Sequence, residues 1–227
     1  REFGPVGTTQ LGYTRIDDII GKFAQRSVDS ISEADEAGKR RLDDCLLRVA
    51  ELWPNAWMRL VEFRQRSGAS VQEIEYALRR AVEERPYDRE AWLARAKNAK
   101  DARDDATRIA SLVSAVDCDP NDVDLIREVA FQLAQYVDSH KSVLPQARRG
   151  VYVASVRGHM EKLADRLDST GLSRLAWLFM LEGDITNGWK YANLGLSKGP
   201  TNQYCLRIVE RLNDQMNPAA PPQRGLA

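Results

Sequence analysis

The side chains that most often carry out catalysis are few in this sequence and form no catalytic or metal-binding motif. Neither of the two histidines, His140 and His159, has a neighbour at a spacing that lets two side chains hold a metal ion. The sequence also lacks the glycine-rich loops that bind nucleotide phosphates and the Gly-x-Ser-x-Gly turn that exposes a nucleophilic serine. We therefore expect no enzyme activity, no cofactor and no metal.

Composition limits the compartment and the partners. Cys45, Cys118 and Cys205 are odd in number and widely scattered, which is typical of buried or idle thiols in a reducing compartment. Lys plus Arg and Asp plus Glu both number 33, so the net charge is zero. That balance argues against a dedicated nucleic-acid or membrane-surface protein. No apolar run approaches the roughly 20 residues that span a bilayer. We expect a cytoplasmic protein.

Apolar residues recur at every third or fourth position, which predicts amphipathic helices almost throughout. A lead helix over 16–29 has Ile19 and Phe23 on its apolar side, and the apolar stripe of the second helix, over 33–52, includes Cys45 and Leu52. Later helices are expected over 56–65, 71–84, 89–100, 103–116 and 203–215. Ser67 and Gly68 predict a turn, and Ser70 a helix cap.

Two windows share one apolar skeleton, and each closes on a proline. Trp57 and Trp92 lie 35 positions apart, and Pro86 and Pro120 lie 34 apart. A third copy of the skeleton has its small and apolar residues at Leu172, Leu175, Ala176, Phe179, Gly183, Gly188, Ala192, Gly195 and Pro200. This skeleton resembles the tetratricopeptide repeat (TPR), with half-a-TPR repeats as a close alternative. The resemblance implies an all-α right-handed solenoid of antiparallel helix pairs with a capping C-terminal helix. It also implies that Trp57 and Trp92 occupy equivalent buried sites.

The resemblance further implies a concave groove lined by the first helix of each pair. The side chains that would face it are Met58, Glu62, Leu93, Lys97, Lys100, Arg127, Ser173, Phe131, Trp177 and Met180. Apolar platforms beside cations suit an extended or helical acidic-apolar segment of a partner. The alternative is that Phe131 and Trp177 simply pack against a neighbouring helix. The Asn that the family's carboxylate clamp requires beside a lysine has no counterpart here.

One long helix, predicted from Pro145 to Leu167, carries an uneven charge. Its basic stripe consists of Arg148, Tyr152, His159, Lys162 and Arg166. Such a stripe beside a tyrosine is able to bind phosphates or an acidic partner. It is more often a solvated face, balanced here by the acidic segment 117–128.

The expected organisation has four parts. Residues 1–11 are interpreted as a cloning remnant or disordered lead, 12–53 as N-terminal helices, 54–216 as TPR-like repeats, and 217–227 as a disordered proline-rich tail. The expected function is a non-catalytic module that binds a protein or peptide, as the scaffold, sensor or regulatory part of a larger protein. Two alternatives stay open: an RNA-binding repeat that uses the basic helix 145–167, and a self-association module.

Overall fold

The computed structural model describes residues 6–140 and 146–216, and this part of the chain is all-α. The helices are α1 Val6–Asp29, α2 Glu36–Leu52, α3 Trp57–Ser67, α4 Val71–Glu84, α5 Arg89–Asp101, α6 Asp105–Cys118, α7 Val123–Ser139, α8 Gln146–Lys162, α9 Ser169–Glu182, α10 Ile185–Lys198 and α11 Gln203–Met216. Consecutive helices pack as hairpins within each compact unit described below. The predicted all-α, TPR-like class of stacked helix pairs is confirmed.

Most helices begin with a polar side chain that caps the free backbone N–H groups of the first turn. At five helices an aspartate accepts a hydrogen bond from the N–H three residues later: Asp35, Asp88, Asp122, Asp168 and Asp184. Asp104 and Asn202 do the same before α6 and α11. Ser70 and Glu73 form a reciprocal capping box at α4, which confirms the predicted cap. These caps fix where each hairpin turns.

The predicted stop signals are found where the repeat pattern placed them. Gly68 follows α3 with φ 76°, and Gly183 follows α9 with φ 83°, a left-handed conformation that glycine adopts without a Cβ clash. Pro86 lies two residues after α4, and Pro120 lies two residues after α6. The proposed repeat register is therefore correct at both prolines.

The chain divides into two compact units between Ser111 and Leu112, within α6. In the first unit, α2, α3, α4 and α5 pack in succession, and α1 packs on α3. Trp57 is 1% exposed at the centre of this core. Trp92 lies in the first turn of α5, the equivalent helix of the next pair, but is only half-buried, and its Nε1 donates to the Pro86 carbonyl at 2.8 Å. The expected equal burial of the two tryptophans is therefore wrong.

A buried ion pair joins three helices of the first unit. Arg64 of α3 is 6% exposed, and its guanidinium donates to both carboxylate oxygens of Asp43 in α2, at 2.8 and 2.9 Å. Its remaining terminal nitrogen donates to the backbone carbonyl of Glu73 in α4 at 2.7 Å. Each nitrogen of the buried cation thus has an acceptor, which is the condition for tolerating its removal from water.

In the second unit α9 is central, because it contacts α7, α8, α10 and α11. Small residues permit the close packing that the family resemblance implies. A Cβ added to Gly195 would lie 2.5 Å from the Cys205 Sγ, and one added to Gly188 would lie 3.4 Å from the Ala176 carbonyl oxygen. The glycines of α10 therefore set how closely α9 and α11 approach it.

Two element predictions need correction. α1 begins at Val6, ten residues earlier than expected. The helix predicted over 145–167 ends at Lys162 and is followed by a short 3-10 segment, Ala164–Arg166, because Asp168 must be extended (ψ 178°) to cap α9. Pro145, residues 1–5 and the predicted tail 217–227 lie outside the described residues.

Some residues predicted on apolar faces are in fact open to solvent. Cys45 is exposed and Leu52 is 83% exposed, because α2 buries Leu46 and Ala50 instead. Ile19 and Phe23 are likewise exposed on α1. Cys205 is buried, and burial raises the pKa of its thiol. The expectation of buried thiols therefore holds for Cys205 and fails for Cys45.

Candidate functional site

Three helices of the second unit form an open pocket of about 480 Å³. All three, α7, α9 and α11, occupy the first-helix position of successive hairpins. α7 contributes Phe131, Ala134, Gln135 and Asp138; α9 contributes Thr170, Ser173, Arg174 and Trp177; α11 contributes Tyr204, Arg207 and Ile208. The pocket therefore lies on the face of this unit that the repeat pattern predicts for binding.

Helical spacing explains why these side chains converge. Each helix presents residues three and four positions apart, so they share one face. The opposite faces of α7 and α9 are buried through Leu133 and Leu175 in the core of the unit. The core thus holds the backbone of the two helices, and the pocket residues project from a rigid support.

Aromatic rings and guanidinium groups are stacked around the pocket. The Arg174 guanidinium lies 4.9 Å from the centre of the Phe131 ring, and that of Arg211 lies 5.7 Å from the centre of the Trp177 ring. These distances are within the range of cation–π attraction. Burial, followed by the nearby charge of Arg127, lowers the pKa of Arg174. The group remains a cation at neutral pH because arginine starts from a very high pKa.

Polar contacts between α7 and α9 hold one wall of the pocket in place. Arg174 donates to the backbone carbonyl of Arg127 at 2.8 Å. Arg127 in turn donates to the Asp168 carboxylate at 3.0 Å and lies 3.6 Å from the Asp124 carboxylate. Because Asp168 also caps α9, this network couples the start of α9 to α7.

The structure brings three predicted groove residues of this unit together in the pocket. Phe131, Ser173 and Trp177 line it, and Phe131 is 41% exposed. Arg127 instead makes the ion pairs just described. Met180 is half-buried and lies close to Gly188, so it faces α10. Whether any of these residues binds a partner remains a prediction.

The predicted groove residues of the first unit lie on α3 and α5. Met58 packs against the core of that unit, and Glu62 pairs with Arg59 and Arg66. Leu93 is half-buried, whereas Lys97 and Lys100 are exposed. These five positions also remain predictions.

The first unit has a hollow of its own, of about 320 Å³, beside α4 and α5. Two of its charged side chains are paired with each other, since Arg95 lies 2.8 Å from Glu75, and Asp104 caps α6. The buried amide of Asn98 donates to the Val71 carbonyl at 3.3 Å. The contacts of this hollow are thus largely internal, unlike those of the pocket in the second unit.

The predicted basic stripe is partly involved in contacts within the second unit. His159 lies 2.8 Å from the Asp117 carboxylate, which also accepts a hydrogen bond from Ser155. Asp117 opens the acidic segment that was expected to balance this stripe. Tyr152 is half-buried, and Lys162 and Arg166 are exposed. The side chain of Arg148 lies outside the described part of the chain.

Sequence reasoning missed most of the pocket lining, including Arg174, Tyr204 and Arg207. The groove positions predicted on α9 were Ser173, Trp177 and Met180, so Arg174, which directly follows Ser173, was left out. Tyr204 and Arg207 belong to α11, which was interpreted as a capping helix. If α11 had been treated as the first helix of a further pair after α9 and α10, its residues would have been predicted to line the groove.

Within the described residues, no helix is long and apolar enough to cross a membrane. The same residues contain no group of three or more His, Cys, Asp or Glu side chains placed to hold a metal ion.

Comparison with known proteins gives likenesses of fold at low sequence identity. No family model matches the chain, and no curated protein matches it. Among solved structures, it is similar to YrrB, described as a TPR protein with an unusual peptide-binding site, at 10% identity and a TM-score of 0.41. That match covers 87% of this chain and 97% of YrrB. It is also similar to PilW, described as a type IV pilus biogenesis factor, at 14% identity and a TM-score of 0.30, over 75% of this chain and 95% of PilW.

Proposed function

We propose that this chain is a non-catalytic interaction module that binds a segment of a partner protein in the pocket between α7, α9 and α11. The observation that supports this most directly is exposed aromatic surface in a concave site. Phe131 is 41% exposed and Tyr204 is 64% exposed, and both line the pocket with Trp177. Exposed aromatic side chains gathered in a hollow are typical of protein-binding sites.

The polar groups of the pocket also suit binding better than catalysis. The hydroxyl of Ser173 donates to the Thr170 carbonyl at 2.7 Å, so it is not paired with a general base. The described lining contains neither His nor Cys. Its polar side chains are therefore suited to orienting a bound segment.

The wider role follows from this proposal. A module that binds a protein segment would serve as the scaffold, sensor or regulatory part of a larger cytoplasmic protein. Neither the RNA-binding alternative nor self-association gains a comparable observation. His159 of the basic stripe contacts Asp117, and among the side chains of α1 that the structure describes, Ile19 and Phe23 are the large apolar ones that are exposed.

A tryptophan comparison tests the proposal. Peptides selected against the full chain from a random display library should bind the Trp177→Ala variant at least about thirtyfold more weakly, because a central aromatic anchor contributes about 2 kcal/mol or more. Dissociation constants measured by fluorescence polarisation give the result. The matched control is Trp189→Ala, since Trp189 is exposed on α10 and does not line the pocket.

Circular dichroism of both variants should show intact helices. Equal binding by the Trp177→Ala variant and the wild-type chain would contradict the proposal. Lys97→Glu is a second comparison, in the first unit. A loss in that variant as well would support the predicted role of Lys97 in binding.

A further inference from the structure

The lining of the pocket between α7, α9 and α11 contains more cationic than anionic side chains. Arg174 and Arg207 line the pocket, and Asp138 is the one carboxylate in the described lining. Arg211 adds a further guanidinium above the Trp177 ring. Among the described side chains, Arg174, Arg207 and Arg211 form no ion pair.

The surroundings of Arg174 make a negatively charged ligand favourable. Its guanidinium is partly removed from water against Phe131, and the charge of Arg127 acts on it together with the opposing charges of Glu128 and Asp168. Neither carboxylate forms an ion pair with Arg174, since Asp168 pairs with Arg127 at 3.0 Å and Glu128 accepts a hydrogen bond from Gln132. A carboxylate from a ligand would therefore supply the direct contact to Arg174 that these two carboxylates do not make.

The aromatic side chains of the pocket indicate that the ligand also carries an apolar group. Phe131, Trp177 and Tyr204 come from three different helices and surround the cations. A volume of about 480 Å³ accommodates one or two large side chains but no folded domain. An apolar side chain buried against the rings would exclude water from a neighbouring carboxylate–guanidinium contact and strengthen it.

Arginine beside aromatic rings is also found where proteins bind single-stranded nucleic acid. The charge balance of the second unit favours a peptide over nucleic acid as the ligand of this pocket. Between Leu112 and Ala227, Lys plus Arg and Asp plus Glu both number 13, so the cationic surface is local. Binding to a phosphate backbone usually requires an extended basic surface.

We propose that the pocket recognises a peptide segment in which an aromatic or branched apolar side chain lies within one helical turn of an aspartate or glutamate. The apolar side chain would enter between Phe131 and Trp177, and the carboxylate would bind Arg174 and Arg207. This inference rests on the proposed function, and it adds the chemistry of the ligand.

The experiment selects a random peptide display library on the full chain and then measures the binding of synthetic peptides to variants. The selected peptides should pair an apolar residue with an acidic one. Arg207→Glu should weaken their binding by about tenfold or more, since a charge-assisted contact is lost and a repulsion introduced. Changing the peptide's acid to lysine should restore binding to the Arg207→Glu variant. The matched control is Arg166→Glu, an exposed cation outside the pocket.

The outcomes separate this inference from the proposed function. Selected peptides that lack an acid, and that lose binding in Trp177→Ala but not in Arg207→Glu, would overturn the inference and leave the proposed function standing. Peptides that bind independently of Trp177 would overturn both. Both would also be overturned by salt-sensitive binding of an oligothymidylate probe without peptide binding, or by a dimer of the chain that Trp177→Ala dissociates.

Discussion

Replacing Trp57 with alanine is expected to lower the free energy of unfolding by about 3–5 kcal/mol, because it removes a large buried side chain and leaves a cavity. Trp57 is 1% exposed, its ring meets the Tyr76 ring edge-on at 6.0 Å, and the Arg80 guanidinium lies 5.5 Å from its centre. The loss should appear in urea unfolding followed by far-ultraviolet circular dichroism.

Trp92 provides the comparison for this variant. It lies in the first turn of the equivalent helix α5, but it is half-buried and has a hydrogen bond from its indole to the Pro86 carbonyl. Trp92→Ala should therefore cost clearly less than Trp57→Ala, since less apolar surface is returned to water. Equal losses would show that the difference in burial does not determine the stability of the two sites.

Replacing Arg64 with alanine should destabilise the first unit by about 3 kcal/mol, because the partly buried carboxylate of Asp43 and the Glu73 carbonyl lose their donors. Asp43 retains some contact with water, its side chain being 28% exposed, which places the expected loss at the lower end for such pairs. Urea unfolding of Arg64→Ala measures it.

Two further variants show whether the pairing itself is responsible. Arg59→Ala removes an exposed cation from the same helix, where it pairs with Glu62, and should cost about 0.5 kcal/mol or less. The double variant Arg64→Met with Asp43→Leu should recover much of the loss, since apolar side chains of similar size replace both charges. If the double variant is as unstable as Arg64→Ala, the unpaired carboxylate of Asp43 is not the cause of the lost stability.

The helix pattern could be predicted from sequence because it depends on local signals. The range 71–84 was predicted to the residue, since Ser70 caps the helix and a proline follows its end. The predicted boundaries were wrong where contacts between residues distant in sequence determine the end of a helix. α8 ends at Lys162 rather than continuing to Leu167, because α9 must start from the Asp168 cap, which also meets Arg127 of α7.

The site was predicted only in part for a similar reason. Phe131 and Trp177 follow from the repeat register, which is a local property. Arg207 and Tyr204 reach the pocket only because α11 packs on α9 as a further hairpin would, and this tertiary contact has no signal within the segment itself. The half-burial of Trp92 likewise depends on the neighbours available to it rather than on its spacing from Trp57.

Three carboxylates at helix starts make this fold responsive to acid at separate points along the chain. Hydrogen bonds from backbone and side chain lower the pKa values of Asp104 and Asp184 below their ordinary range, and the Ser70 contacts do so for Glu73. A carboxyl group with a lowered pKa binds its proton more weakly in the folded chain than in the unfolded chain. Its stabilisation is therefore complete above the unfolded pKa, about 4, and is lost as the pH falls through the lower folded value.

Glu73 lies in the first turn of α4, Asp104 caps α6 and Asp184 caps α10. Protonation of these three carboxylates would thus weaken three separate helix starts rather than one weak point. In acid, a chain built from repeated hairpins would in this way lose stability at the starts of its helices.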